Sequence, residues 1–198
     1  MKKNTIWIIV VVIILVILGI IFLSSPKTTI PGEETVVPEG SEQEGALPEQ
    51  DEEVLGQAEA IVPDASPVSE QGEVLTQEGK PADNTALPGS PDAPKQSRSL
   101  EETEVPENAV KLTVSATGFL PNEFTVNAGE VVTLSVTSED KTHVFKFDGA
   151  SLQGVAVGVA GSETRAITFN APEKGDYTFY CDVPGHRARG ETGVMHVK

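Results

Sequence analysis

The chain has 198 residues, a formal net charge of −16, three histidines and one cysteine. That charge argues against nucleic acid as a partner, because a phosphate backbone attracts Lys and Arg rather than acid. One cysteine cannot close an internal disulfide, and three histidines cannot build the several imidazole clusters of a multi-metal oxidase.

Residues Ile6 to Leu23 form an unbroken run of eighteen apolar or small residues, preceded by Lys2 and Lys3 and followed by Ser24-Ser25-Pro26-Lys27. Such a run reaches the length of about 17 to 25 residues that a membrane helix needs, and it exceeds the roughly 7 to 15 apolar residues of a secretory signal. Residues 1–23 are therefore expected to be an uncleaved anchor with a single transmembrane helix over 6–23. The lysines would keep the N-terminus in the cytoplasm and place the rest of the chain outside the cell membrane. The alternative is a signal peptide cleaved near Ser25. Trp7, at the start of the run, suits the membrane interface.

Residues 24–108 carry 20 Asp or Glu against 4 Lys or Arg, hold 11 of the 14 prolines, and contain no aromatic residue. A segment with so few large apolar side chains and so much self-repulsion is expected to be a disordered linker, because burial cannot offset chain entropy.

From Ala109 the pattern changes to short runs of alternating apolar and polar residues punctuated by Gly, Pro, Asn and Asp. Strands are expected near Val110–Ala116, Glu123–Asn127, Val131–Thr137, His143–Phe147, Thr164–Asn170, Asp176–Cys181 and Gly193–Val197, and no helix is expected. Seven short strands in residues 109–198 fit an all-β domain, a Greek-key antiparallel β-sandwich. Alternation along Asp176–Cys181 puts Tyr177, Phe179 and Cys181 on one face, so the thiol points inward at the strand end. A buried apolar cysteine is the plain alternative. The neighbouring His186 favours metal instead, since one thiolate and two imidazoles, the second from His143, suit a mononuclear copper ion.

Four motifs then carry a resemblance over nearly half the chain. They are Gly118-Phe119-x-Pro121-Asn122, Ala128-Gly129-Glu130, Asp140-x-x-His143-x-Phe145, and Tyr180-Cys181-x-Val183-Pro184-Gly185-His186. In order and spacing this stretch resembles the cupredoxins, the small blue copper proteins similar to plastocyanin, azurin and auracyanin. The resemblance implies one copper ion cycling between Cu(I) and Cu(II), with His143, Cys181 and His186 as its ligands. It also implies a carrier of single electrons rather than an enzyme, exchanging them through His186. Arg187 and Arg189 flank that histidine, so a redox protein partner is expected to dock near His186, Arg187 and Arg189.

The chain departs from the family in two places. Where relatives place an axial methionine it has Glu191, a candidate axial donor that either swings onto the metal or faces water. Met195 lies four strand residues farther, about 13 Å away at the rise of an extended chain, and is expected to pack in the core. Val144 replaces an asparagine that bonds across to the cysteine loop in many relatives, which removes that link. His196, of opposite polarity to Met195 and Val197, is expected at the surface. Two other functions stay open: a red-copper catalyst or small-molecule binder using Glu191, and a copper-binding or purely structural domain.

Overall fold

A computed structural model describes residues 58–198. The expected transmembrane helix at 6–23 and the first part of the acidic segment, 24–57, lie outside the described residues. Among the described residues no helix is long and apolar enough to cross a membrane.

Among the described residues eleven strands are formed: β1 (Glu59–Ala60), β2 (Pro67–Val68), β3 (Val110–Ser115), β4 (Gly118–Leu120), β5 (Glu123–Val126), β6 (Val131–Ser138), β7 (His143–Phe147), β8 (Ala156–Val159), β9 (Thr164–Asn170), β10 (Gly175–Cys181) and β11 (Thr192–Val197). From β3 onward they build two facing sheets, ordered β5-β11-β10-β7-β8 and β4-β3-β6-β9. All seven strands expected from alternation are present. The two missed in this part of the chain are β4, with three residues, and β8, whose Ala-Val-Gly-Val sequence has too little polar contrast to alternate visibly. The expected purely antiparallel arrangement is corrected at two pairings: β3 runs parallel to β6, and β5 parallel to β11. Alternation reports which face a side chain occupies and is blind to the direction of the neighbouring strand.

The core lies between the sheets. Phe145, Phe147 and Phe179 from one sheet meet Phe119 and Phe169 from the other, with ring centroids 5.0–6.2 Å apart and several pairs edge-to-face. Such contacts add about 0.5–1.5 kcal/mol per pair beyond burial. Met195 is fully buried in the same cluster, as expected, and takes no part in the polar site. Gly193 is a position of close approach: a Cβ there would overlap the Phe179 ring and the Asn122 carbonyl. Gly193→Ala is therefore expected to cost at least the 1–3 kcal/mol typical of overpacking, read as a lowered midpoint in denaturant.

Residues 58–108 correct the expectation of a disordered linker reaching to 108. They form an ordered strap along the sandwich. Its backbone serves the free edge of β9: Ser97 and Leu100 donate to the Ala166 and Thr164 carbonyls at 2.7 and 2.8 Å, and Ala166 donates to the Ser97 hydroxyl at 2.8 Å. It also reaches the edge of β8, where the Gly158 N–H donates to Gln96 Oε1 at 2.9 Å. Farther along β9, Asn170 accepts from the Val74 N–H and donates to the Gly72 carbonyl. Val62, Ala65, Val74, Leu75, Ala93 and Leu100 are buried, while Glu73, Glu78, Asp83, Asp92, Glu101, Glu102 and Glu107 point outward. Composition failed as a guide because the strap needs no core of its own. It covers edges that would otherwise expose unpaired backbone, and segments at an edge tolerate proline.

A half-buried ion pair anchors the start of β9. Glu163 accepts from Arg165 Nε and Nη2 at 2.9 and 2.7 Å and from the Ala160 N–H at 2.8 Å. The Arg165 bond, with the Ala160 N–H, holds the Glu163 carboxyl below its usual 4.5. A carboxyl depressed by folding contributes stability that is present above its unfolded value and lost as pH falls through the folded one. Thermal midpoints should therefore drop below about pH 4.5, and Glu163→Gln should flatten that part of the curve.

Candidate metal centre

On β7 the side chains of His143, Phe145 and Phe147 are buried while Val144 and Lys146 lie between them at the outer face. On β10 the same alternation buries Phe179 and Cys181. Since Cys181 stands opposite Phe145 in register, the thiol and the His143 imidazole continue the row of core phenylalanines to the end of the sandwich. The loop from β10 to β11 supplies the other two groups. It contains a short turn at Arg187–Arg189, and Gly190 adopts φ 97° at its end, a left-handed conformation that favours glycine. That reversal directs Glu191 inward just before β11 begins.

Four potential donor atoms meet there: one each from His143, Cys181, His186 and Glu191, all within 4.8 Å of one another. His143 Nδ1 lies 3.3 Å from His186 Nδ1. Cys181 Sγ is 3.6 Å from the first and 3.4 Å from the second. Glu191 Oε2 sits 2.9 Å from His143 Nδ1 and 2.7 Å from His186 Nδ1. His143 and Glu191 are fully buried, Cys181 is 1% exposed and His186 6%. The Glu191 carboxylate faces the imidazoles and is shielded from solvent.

The surroundings prepare these atoms for a cation. His143 Nε2 is 2.8 Å from Asp140 Oδ1; with a cation bound, a proton held there would leave the Nδ1 lone pair aimed at the cluster. The His143 bond also keeps the Asp140 carboxyl below its usual value, helped by the Lys141 and Ala116 N–H groups. Burial pushes the Cys181 thiol up, while the Val144 and Val183 N–H groups act in the opposite direction. Burial also opposes ionisation of Glu191, but hydrogen bonds from Cys181, His186 and His143 outweigh it and the carboxyl stays lowered. Thiol, imidazoles and carboxylate thus crowd one buried point, an arrangement that one shared cation would satisfy at once. Soft sulfur with imidazole nitrogen suits copper.

Three further residues act in ways the sequence did not reveal. Asp140 orients His143. Val144, which lacks the side-chain link of an asparagine, meets the cysteine loop through its backbone: its N–H lies 3.4 Å from Cys181 Sγ and its carbonyl accepts from the Asp182 N–H at 2.8 Å. Arg189 donates through Nη2 to Glu191 Oε1 at 3.2 Å. Arg187 pairs with Asp148 and lies 4.4 Å over the Tyr180 ring. His196 lies outside the site and pairs with Asp176 Oδ1 at 2.8 Å.

A family model described as "Cupredoxin-like domain" matches residues 94–193, beginning inside the strap. Among solved structures, an auracyanin from Roseiflexus castenholzii is 24% identical, covering 46% of this chain and 98% of that one, with a TM-score of 0.41. Auracyanin A, a "blue" copper protein from Chloroflexus aurantiacus, is 23% identical with the same coverages and a TM-score of 0.38. Amicyanin from Paracoccus versutus is 24% identical over 51% of this chain and 92% of that one, with a TM-score of 0.39. No curated protein sequence matches the chain.

Proposed function

Because the chain belongs to the cupredoxin-like domain family, we propose that His143, Cys181, His186 and Glu191 hold one copper ion and that the protein carries single electrons between extracytoplasmic redox partners. The observation that carries this reading is the convergence of four buried donor atoms within 4.8 Å, with the far nitrogen of His143 already tied to Asp140. Copper bound there would supply a one-electron couple. The residues supply the rest: separate strands and a short loop hold the donors, the phenylalanine core behind them resists rearrangement, and burial excludes water. A site that moves little between oxidation states exchanges electrons at low cost.

The proposal extends to the cell. The apolar run 6–23 would anchor the chain as a single-pass membrane protein with its copper domain outside. His186, the donor with the most exposure, would face the partner, with Arg187 and Arg189 at the rim. Asp148 and Glu191 offset part of that positive charge, so exchange rates should fall only shallowly with ionic strength. Rates that rise with salt would contradict docking to an acidic surface.

A second reading is favoured by the carboxylate in the donor set: a red-copper site that binds or transforms a small molecule. Against it stands the burial of His143, Cys181 and Glu191, which leaves little room for a substrate beside the donors.

The test is titration of the purified chain with Cu(II). One equivalent should produce intense sulfur-to-copper absorption and a reversible one-electron wave, and Cys181→Ser should abolish the colour. A hundredfold excess of free copper over its dissociation constant would stabilise the fold by about 2.7 kcal/mol. A chain that stays colourless and gains no thermal stability would sink the proposal.

A further inference from the structure

The two oxygens of Glu191 have different partners. Oε2 faces both imidazoles, at 2.9 and 2.7 Å, and Oε1 is met by Arg189 Nη2 at 3.2 Å. The carboxylate is fully buried, whereas the Arg189 side chain is 45% exposed. The geometry points to Arg189 as a positioning residue that holds Glu191 to a single donor oxygen and sets how strongly that oxygen acts on the metal. This rests on the reading of Glu191 as a ligand.

Local structure brings the pair together. The Arg189 N–H donates to the His186 carbonyl at 3.0 Å, that of Gly190 to Arg187 at 3.1 Å, and that of Thr192 to Gly190 at 2.8 Å. The left-handed Gly190 between them folds residues 189 and 191 toward each other. The guanidinium also spans the ligand loop, with Nη1 3.7 Å from where a Cβ on Gly185 would sit. The guanidinium therefore lies over the loop while the side chain keeps its exposure to solvent.

The consequence follows from charge. A guanidinium on Oε1 draws carboxylate density away from Oε2 and places a fixed positive charge beside the site. Both effects disfavour the more positive oxidised metal. Removing Arg189 frees Oε1 to turn inward and lets Glu191 act as a stronger donor, so the oxidised state gains. Because Arg189 is partly exposed, salt should weaken its effect in the intact protein, and that salt response should vanish with the arginine.

The experiment uses the full chain loaded with copper, comparing wild type with Arg189→Gln, Arg189→Lys and Glu191→Gln. The readouts are reduction potential, electron-spin spectrum and their ionic-strength dependence. Arg189→Gln should shift the Cu(II)/Cu(I) stability ratio about tenfold toward Cu(II), a fall of about 59 mV for one electron. Arg189→Lys should recover part of the shift, since it restores charge without the planar fork. In the metal-free chain, the Arg189 guanidinium nitrogen resonances should report hindered rotation that Glu191→Gln releases. If Glu191→Gln changes the copper spectrum while Arg189→Gln leaves potential and salt response unchanged, the role of Arg189 is refuted. If Glu191→Gln also leaves the spectrum unchanged, the ligand reading itself fails. Should Arg189→Gln fold poorly, the salt dependence of the wild-type potential decides alone, and a flat response overturns the inference.

Discussion

Glu191→Met is expected to raise the reduction potential of the copper-loaded protein, shifting the stability ratio at least tenfold toward Cu(I), or about 59 mV and upward for one electron. A buried carboxylate oxygen, 2.9 and 2.7 Å from the two imidazole nitrogens, is a hard anionic donor, and such donors favour the oxidised ion. A thioether is soft and neutral and acts only weakly along the axis. The thiolate bond should strengthen as the competing anion leaves, moving the visible spectrum toward a more intense blue. The exchange also removes a carboxylate that accepts from Arg189 and receives hydrogen bonds from His143, His186 and Cys181. The metal-free variant should therefore lose stability even while the loaded form becomes a better oxidant. Voltammetry and optical spectra on wild type and variant check the first expectation, and thermal unfolding of the metal-free chains checks the second. An unchanged potential would place Glu191 off the metal.

Removing the strap is expected to damage the sandwich more than any surface change. A chain beginning at Ala109 would expose the outer edges of β8 and β9, which residues 96–100 now serve with hydrogen bonds. It would also lose the small cluster in which Val62, Ala65 and Leu100 pack on Ala166. Leu100→Ala alone should cost about 2–5 kcal/mol, as for other buried leucines. The truncated chain should unfold at much lower denaturant and self-associate through the uncovered edges. Sedimentation and denaturant titration of the two chains measure this directly. Equal stability and a monomeric truncated form would show that the strap merely rests on the surface.

How much of this could be read beforehand depends on how local the signal is. His143–Phe147 was legible to the residue because its alternation is complete and Asp148-Gly149 stops it; Thr164–Asn170 was legible too, although four successive residues in it are buried. β8 was invisible because glycine and alanine give no contrast. The strap was misread for a related reason. Its prolines and acids describe a segment unable to fold alone, and they carry no information about an edge elsewhere that it might cover. At the site, Cys181 and His186 lie five residues apart on one loop, so their partnership showed in the spacing. The contact between Arg189 and Glu191 did not, because it depends on the backbone reversal at Gly190.

By itself, the sequence determined which side chains face inward along β7 and β10 and that Cys181 and His186 lie close together along the chain, since period-two alternation and loop spacing are properties of the local chain. Only the tertiary structure decided that Glu191 turns toward Cys181, His143 and His186 instead of toward water, that Asp140 meets His143 and Arg189 meets Glu191, and that residues 58–108 are ordered. Those outcomes turn on distances between segments far apart along the polypeptide or reversed by a single glycine. A balance of burial against solvation at such places exists only once the sheets are assembled.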